Sequence, residues 1–236
     1  MTGDRADCWA VIAAAGVGRR FGAARPKQYL DLAGRPVIEH AVRPLLGNPR
    51  IRGLVVALDP ADGYWAETRL AADRRIRRAD GGDERCHSVL NALELLAGEA
   101  DPDDWVLVHD AARPCLSAEE LESLFTALAN DPVGGLLAVP LADTLKAADE
   151  SGRVSRTLPR DGLWRALTPQ MFRYGLLRKS LADAIAAGVV VTDEAAAIEY
   201  SGHRPALVAG RAANLKVTGP EDLALAEAVL RRRGEK

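Results

Sequence analysis

A glycine-rich loop with cations close by follows the first apolar segment of the chain. The apolar segment covers residues 9–15, and glycines stand at positions 16, 18 and 22. Glycine allows backbone N–H groups to turn toward an anion at close range, and Arg20 and Lys27 add positive charge at the same place. We therefore expect this loop to bind a nucleoside triphosphate or a similar phosphate ligand.

The spacing of the glycines distinguishes this loop from two common phosphate-binding motifs. It matches neither the G-x-G-x-x-G of a dinucleotide-binding turn nor the G-x-x-x-x-G-K-[ST] of a P-loop. A nicotinamide-dependent reductase needs that tighter turn and an acidic residue about 20 positions later, so the spacing disfavours it. The structural alternative is a glycine-rich turn with solvated arginines, and the preceding strand and clustered cations argue against it.

Two further glycines precede an amphipathic segment. Gly81, Gly82 and Asp83 lead into it, and Ser88 places a hydroxyl one turn later. A helix N-terminus presents unpaired N–H groups and the positive end of the helix dipole to an anion. Because Asp83 is equally suited to be an N-cap, the residues alone leave a ligand contact and a capped loop open.

A carboxylate and a guanidinium follow another apolar run. The sequence reads His109-Asp110-Ala111-Ala112-Arg113, at the end of a strand, where α/β sheets place their chemistry. Asp110 is suited to hold Mg²⁺, which prefers oxygen ligands, and Arg113 to bind a substrate phosphate. A structural ion pair between the two is the alternative, and we expect packing rather than catalysis to orient His109.

Four more polar residues are candidates to which spacing alone assigns no role. They lie in the second half of the chain and are Thr144, Arg160, Thr168 and Lys216. Lone hydroxyls and cations of this kind are usually surface residues.

The elements that would position these residues alternate along the chain. Continuous apolar runs predict buried strands at 9–15, 54–58, 105–109 and 135–139, with a short strand at 214–218. Helical patterns cover 36–46, 62–74, 86–97, 117–129 and 220–233, and Ser117 and Glu120 fit a capping box. The alternation predicts an α/β fold with a doubly wound, mostly parallel sheet, whose ligands bind beyond the carboxyl ends of the strands.

Residues 140–165 interrupt this alternation. Polar and apolar residues alternate on both sides of a turn signal at 150–153, which predicts a β-hairpin. An isolated hairpin is marginal in water, so we expect this arm to lie on another surface, with a second subunit as the candidate. Packing on its own domain is the alternative. Residues 1–236 otherwise indicate a single domain.

The composition is that of an ordinary globular chain. Its 236 residues are 48% hydrophobic and carry a net charge of −2, which argues against a nucleic-acid binder that relies on bulk charge. Three separated cysteines without a C-x-x-C give neither a disulfide framework nor a zinc site. Because no signal-peptide pattern and no apolar run of about 20 residues is present, we expect a cytoplasmic location and no membrane contact.

Taken in order, the motifs resemble one known family. They comprise residues 13–20, 26–30, 81–89, 109–114, 143–144, 162–164, 166–170, 192–195 and 214–218. Each motif is modest alone, but the ordered set resembles the 2-C-methyl-D-erythritol 4-phosphate cytidylyltransferases of non-mevalonate isoprenoid biosynthesis over nearly the whole chain.

The resemblance implies a homodimeric, Mg²⁺-dependent enzyme with a Rossmann-like nucleotidyltransferase fold. Such an enzyme joins CTP to the phosphate of 2-C-methyl-D-erythritol 4-phosphate, abbreviated MEP below, and releases pyrophosphate. The protruding hairpin is then a dimerisation arm that crosses to the partner subunit.

The resemblance also implies a role for each candidate residue. The catalytic residues are Arg20 and Lys27, which stabilise the transition state, and Arg160 and Lys216, which position the substrate phosphate. The CTP site comprises Ala14, Ala15, Gly16, Gly18, Gly82, Asp83 and Ser88. The remaining substrate contacts are Asp110, Arg113, Thr144 and Thr168.

Two other functions compete with this one. A cytidylyltransferase acting on ribitol 5-phosphate would share nearly all the sites, although the amino acids found at 109–113 and 166–170 favour MEP. A non-enzymatic nucleotide sensor would keep the glycine loop but has no use for the cations on the substrate side. We expect no fused cyclase domain, because no residues to form one follow the last predicted helix.

Overall fold

The structure, a computed structural model, describes residues 7–16 and 25–234. Its strands are β1 (Cys8–Ala13), β2 (Asp31–Leu32), β3 (Arg35–Pro36), β4 (Ile51–Leu58), β5 (Ile76–Asp80), β6 (Trp105–Asp110), β7 (Gly134–Pro140), β8 (Leu145–Ala148), β9 (Val154–Leu158), β10 (Trp164–Arg173) and β11 (Ala206–Ala209). Its helices are α1 (Val37–Leu46), α2 (Arg85–Glu94), α3 (Ala118–Leu128), α4 (Tyr174–Ala186), α5 (Glu194–Tyr200) and α6 (Pro220–Arg232).

Seven of the strands form one sheet, in the order β11-β7-β10-β6-β1-β4-β5. Strand β1 pairs in parallel with β4 and β6, and β4 with β5. Strand β10 is antiparallel to both of its neighbours, β6 and β7. The sheet is therefore mostly parallel with one reversed strand, and the predicted fold class is confirmed.

Helices cover both faces of this sheet, because successive side chains of a strand point to opposite faces. Ile12 of β1 packs in a buried cluster with residues of α1 and α3, whereas Val11 packs in a second cluster with residues of α2, α4 and α5. Both side chains are fully buried. The unbroken apolar runs of the sequence follow from this two-sided burial.

The carboxyl ends of β1, β5 and β6 open at one edge of the sheet. Strand β1 lies between β6 and β4, the next strand of this sheet along the chain, so the chain changes direction of winding at β1. A crevice for ligands is expected at such a switch point. The reversed strand β10 begins at the same edge, where Trp164 pairs with Pro140.

Most predicted elements are present, with ends shifted by a few residues. The four long apolar runs became β1, β4, β6 and β7, and the helices predicted at 36–46, 86–97, 117–129 and 220–233 became α1, α2, α3 and α6. The capping box is confirmed, since Ser117 Oγ accepts from the Glu120 N–H at 3.2 Å and Glu120 accepts from the Ser117 N–H at 3.2 Å.

Two predicted elements are wrong. The segment 62–74 forms two short 3₁₀ turns, Trp65–Glu67 and Arg69–Ala72, because Thr68 between them is extended and its hydroxyl donates to the Trp65 carbonyl at 2.7 Å. The segment 214–218 forms no strand. It is held instead as a loop, with the Val217 N–H donating to the Ala112 carbonyl at 2.8 Å.

The predicted hairpin is present as the antiparallel pair β8–β9, with Leu145 opposite Leu158. Most of β9 is exposed, and Val154 is 64% exposed. The hairpin is therefore not packed on the rest of the chain along most of its length. Among the described helices, none is long and apolar enough to span a bilayer.

Candidate active site

One open cavity of about 310 Å³ lies beyond the carboxyl ends of β1, β5 and β6. Eight of the residues predicted from the sequence for CTP binding or catalysis line it, together with Asp110. These eight are Ala14, Ala15, Gly16, Lys27, Gly82, Asp83, Ser88 and Lys216. The predicted residues Gly18 and Arg20 lie outside the described residues.

The side chain of Gln28, the residue after Lys27, bonds to the segment that follows β1. Its side-chain Nε2 donates to the carbonyls of Ala14 at 2.8 Å and Gly16 at 3.1 Å. Gln28 itself is only 4% exposed. These two hydrogen bonds fix the 3₁₀ turn Lys27–Tyr29 relative to the backbone of residues 14–16.

The start of α2 forms another wall of the cavity. Ser88 Oγ accepts from the Gly82 N–H at 3.0 Å and donates to the Glu84 carbonyl at 3.3 Å. The N-cap is Glu84, whose N–H donates to His87 Nδ1 at 3.2 Å, so the alternative that Asp83 caps this helix is wrong. A Cβ on Gly82 would lie 2.4 Å from that of His87, which explains why a glycine stands there.

Three cations surround the carboxylate of Asp110. Its Oδ1 accepts from Arg85 Nε at 3.1 Å, and its Oδ2 lies 2.9 Å from Lys216 Nζ and 3.4 Å from Arg113 Nε. Burial would raise the pKa of Asp110, but Arg85, Lys216 and Arg113 outweigh it and hold the pKa well below its usual range. Asp110 is therefore ionised near neutral pH, and the ion pair with Arg113 that the sequence left open is present.

Thr168 and His109 support Asp110 from inside the sheet. Thr168 Oγ1 accepts from the Asp110 N–H at 3.2 Å and lies 2.8 Å from His109 Nδ1. His109 Nε2 lies 3.1 Å from the Arg113 carbonyl, which can only accept, so Nε2 carries the proton and Nδ1 accepts from Thr168. Burial lowers the pKa of His109 to about 4. The neutral ring therefore links Thr168 to the Arg113 carbonyl by hydrogen bonds.

Two predicted residues are not brought to the cavity by their own chain. Thr144 and Arg160 are exposed and do not line it. They lie on either side of the β8–β9 hairpin, where Arg160 Nη1 contacts the Ala142 carbonyl. Two more predicted residues do not line the cavity, since Thr168 is buried and Arg113 contacts Asp110 and the Asn214 carbonyl instead.

The sequence reasoning gave no role to three buried or half-buried residues of the site, Gln28, Arg85 and Glu194. Glu194 is fully buried and pairs with Arg85 across 109 positions of the chain. All three stand inside motifs of the sequence, but an arginine in the first turn of a helix usually faces solvent. No spacing rule predicts a partner so far away.

The Asp110 carboxylate does not fit a resident metal ion. Both of its oxygens already take part in ion pairs, so a cation there would have to displace Lys216 or an arginine. Among the described residues, no group of three or more His, Cys, Asp or Glu side chains is placed to hold a metal. Cations around an anion suit a phosphorylated substrate better than Mg²⁺.

Comparisons with known proteins agree on one family. The family model for 2-C-methyl-D-erythritol 4-phosphate cytidylyltransferase matches residues 8–232. The enzyme of that name from Pseudomonas fluorescens strain Pf0-1 is 58% identical over 216 residues, which cover 91% of this chain and 92% of the relative.

Solved structures give the same answer for the fold. The crystal structure of a Francisella tularensis 2-C-methyl-D-erythritol 4-phosphate cytidylyltransferase is similar with a TM-score of 0.83 and 34% identity, covering 95% of this chain and 100% of that one. A 4-diphosphocytidyl-2C-methyl-D-erythritol synthase structure is 38% identical, with the same TM-score, and covers 95% of this chain and 99% of its own.

Proposed function

The chain belongs to the 2-C-methyl-D-erythritol 4-phosphate cytidylyltransferase family, and we propose that the cavity beyond β1, β5 and β6 is its active site. The reaction transfers CMP from CTP to the phosphate of MEP in isoprenoid biosynthesis, forming 4-diphosphocytidyl-2-C-methyl-D-erythritol and releasing pyrophosphate. The observation that carries the assignment is the meeting of Ala14–Gly16, Lys27 and the Asp110–Lys216 pair at one sheet edge.

The reaction needs charge and positioning more than proton transfer. Its nucleophile is a phosphate monoester oxygen, which is already ionised near neutral pH, so no general base is required. The barrier arises because one anion must approach another, and charge builds up on the α-phosphate and the leaving pyrophosphate. Fixed positive charge and precise alignment lower such a barrier.

We assign the nucleotide to the side of the cavity formed by Ala14, Ala15, Gly16 and the first turn of α2. The N–H groups at the α2 N-terminus and its dipole favour anionic or polar groups there. Lys27, which lines the same wall, acts on the triphosphate, and Arg20 retains the role that the family resemblance implies.

We assign MEP to the side of Asp110 and Lys216. Asp110 is suited to accept from the hydroxyls of the polyol, because its carboxylate is ionised and acceptor-only. Lys216 and Arg113 are suited to its phosphate, and Lys216 Nζ already lies beside Asp110 Oδ2, 2.9 Å away. Thr168 holds the Asp110 backbone from beneath, through a 3.2 Å hydrogen bond.

Magnesium enters our proposal with the substrate. Since the described residues do not fit a metal at Asp110, we infer that Mg²⁺ arrives as the complex with CTP, held by phosphate oxygens, as is usual for this cation. In such a complex the cation would neutralise part of the triphosphate charge, the same charge on which we propose that Lys27 and Arg20 act.

We also propose a homodimer in which the β8–β9 arm reaches the partner subunit. Exposed apolar residues on and beside the arm support this, with Val154 64%, Leu163 41% and Trp164 37% exposed. Arg160 and Thr144 would then complete the partner's cavity rather than their own. A cytoplasmic location is consistent with Cys8, Cys86 and Cys115, all of which are free thiols.

Pyrophosphate release tests the proposed reaction. We expect release from CTP with MEP, and little release when CTP is replaced by ATP, GTP or UTP or when MEP is replaced by ribitol 5-phosphate. Faster release with ribitol 5-phosphate would transfer the chain to that alternative substrate. CTP binding without turnover would favour the nucleotide sensor.

A further inference from the structure

A buried carboxylate that the mechanism does not use lies behind the MEP side of the cavity. Glu194 is the first residue of α5 and is fully buried. Its Oε1 accepts from Arg85 Nη1 at 2.6 Å and its Oε2 from Arg85 Nη2 at 3.1 Å. This two-pronged contact fixes the plane of the guanidinium as well as its position.

The start of α5 is itself anchored to the central sheet. Gln170 of β10 accepts from the Ala195 N–H at 2.8 Å and donates to Asp193 Oδ2 at 2.9 Å. Asp193 is the N-cap of α5 and accepts from the Ala196 N–H at 2.9 Å. The carboxylate of Glu194 therefore projects from a fixed base rather than from a loose helix end.

The third nitrogen of Arg85 reaches the substrate side. Arg85 Nε donates to Asp110 Oδ1 at 3.1 Å, while Asp110 Oδ2 faces Lys216 and Arg113. Glu194, Arg85 and Asp110 thus form one chain of contacts from the α5 base to the cavity. Each member restricts the next, because the guanidinium is planar and its donors point in fixed directions.

We propose that Glu194 is a positioning residue for MEP, which acts by holding Arg85 so that Arg85 fixes the orientation of the Asp110 carboxylate. The inference rests on the proposed function, which places MEP beside Asp110. Without the Glu194 charge, Asp110 becomes the only carboxylate left to Arg85 within hydrogen-bond reach in the described part of the chain. The Arg85 guanidinium is then free to rotate, either together with Asp110 or toward the triphosphate. The Asp110 carboxylate is no longer held in one orientation to accept hydrogen bonds from the polyol.

Burial opposes the charged form of Glu194, and the Arg85 guanidinium offsets that effect only in part, so the pKa of Glu194 is raised. An apolar side chain of similar size would avoid this burial cost. The retained carboxylate is therefore better explained by the orientation it gives Arg85 than by packing alone.

The test compares Glu194→Gln with Glu120→Gln. Glu120 is a matched control, since it is 2% exposed and accepts from two backbone N–H groups, those of Ser117 and Arg211, away from the cavity. We expect Glu194→Gln to raise KM for MEP about tenfold, the scale of one weakened charged hydrogen bond, with KM for CTP changed less than about twofold. Glu120→Gln should lower the melting temperature without separating the two KM values. Equal changes in both KM values, or none, in folded Glu194→Gln would overturn the proposal.

Two more variants keep the test decisive. Arg85→Lys retains the charge but loses the fork, so it should raise KM for MEP selectively even if Glu194→Gln fails to fold. An unchanged KM for MEP in Arg85→Lys would refute the positioning role. Asp110→Asn distinguishes a failure of the MEP assignment from a failure of the positioning role of Glu194. If it leaves KM for MEP unchanged, the assignment of MEP to Asp110 is wrong. If it raises that KM and Glu194→Gln raises it further by the same factor in the Asp110→Asn background, only the positioning role is wrong.

Discussion

Gly81 lies so close to Ala15 that a Cβ on the glycine would be 2.3 Å from the Cβ of the alanine. The Gly81 N–H also donates to the carbonyl of Leu58, the last residue of β4, at 2.6 Å. The turn after β5 thus packs closely against the segment that leaves β1, and both segments line the cavity, through Gly82 and Ala15, on the side proposed to bind the nucleotide. The position of the segment after β1 therefore depends on the absence of a side chain at Gly81.

We predict that Gly81→Ala impairs CTP binding. The added Cβ meets Ala15 and, at 3.0 Å, the Leu58 carbonyl, so the β1 exit must shift, at the cost typical of overpacking. KM for CTP should rise about tenfold or more, as measured by steady-state pyrophosphate release. Gly63→Ala is the matched control, because a Cβ there meets nothing within 4 Å. A normal KM for CTP in folded Gly81→Ala would contradict the close contact as a constraint on the site.

Lys27→Ala should reduce kcat by about 10²-fold or more, the scale of losing one transition-state contact. Lys27 lines the cavity, and the next residue, Gln28, bonds the carbonyls of Ala14 and Gly16. Lys179→Ala is the control, since that lysine is exposed on α4 and pairs with Asp183 far from the cavity. A kcat close to normal in folded Lys27→Ala would remove Lys27 from the catalytic role.

The sequence predicted four of the seven strands of the main sheet because these strands depend on local patterns. Buried parallel strands are continuous apolar runs, and the residues that follow β1, β5 and β6 necessarily meet at one edge of the sheet. Thus Ala14 and Asp110 could be placed near each other before the fold was known, whereas the strand that brings Gly82 to the same edge, β5, was not predicted. Gly81 could be identified as part of a turn, but not its contact with Ala15.

The remaining features depend on distant partners. The reversed strand β10 pairs with β6 and β7, which no local pattern of residues 164–173 indicates. The helix predicted at 62–74 is interrupted at its centre, where the backbone of Thr68 is extended rather than helical. The pairing of Arg85 with Glu194 requires α2 and α5 to meet on the same face, and only the assembled sheet brings that about.

Mixed dimers test whether the arm acts on the partner subunit. We predict that a heterodimer of Lys27→Ala and Arg160→Ala chains, purified through two different tags, has about half the activity of the wild-type dimer. One of its two cavities then combines an intact Lys27 with the intact Arg160 of the other chain. Both parent homodimers should have low activity.

The reciprocal pairing is the control. A heterodimer of wild-type chains with chains that carry both substitutions should be nearly inactive if the arm acts on the partner, because neither cavity is complete. If instead this control keeps about half the activity and the first heterodimer has almost none, Arg160 acts within its own chain and the dimer arrangement proposed for the arm is wrong.

The buried His109 should make the protein less stable as the pH falls below neutrality. Burial lowers the pKa of its ring from 6.5 to about 4, so between these values the unfolded chain binds a proton that the folded protein does not. The free energy of unfolding should therefore drop by about 2 kcal/mol from this group between about pH 7.5 and about pH 5. Asp110, whose pKa is lowered from 3.8, loses its contribution only at still lower pH.

Urea unfolding of His109→Gln at the two pH values measures this contribution. Glutamine retains a donor for the Arg113 carbonyl but does not titrate, so the pH-dependent drop should shrink by about 2 kcal/mol even if the variant is less stable at both pH values. His203→Gln is the control, because His203 is exposed and its replacement should leave the drop unchanged. The same drop in His109→Gln as in the wild type would show that the ring is protonated in the folded protein near pH 6, and the hydrogen bond that Nδ1 accepts from Thr168 would then be wrongly assigned.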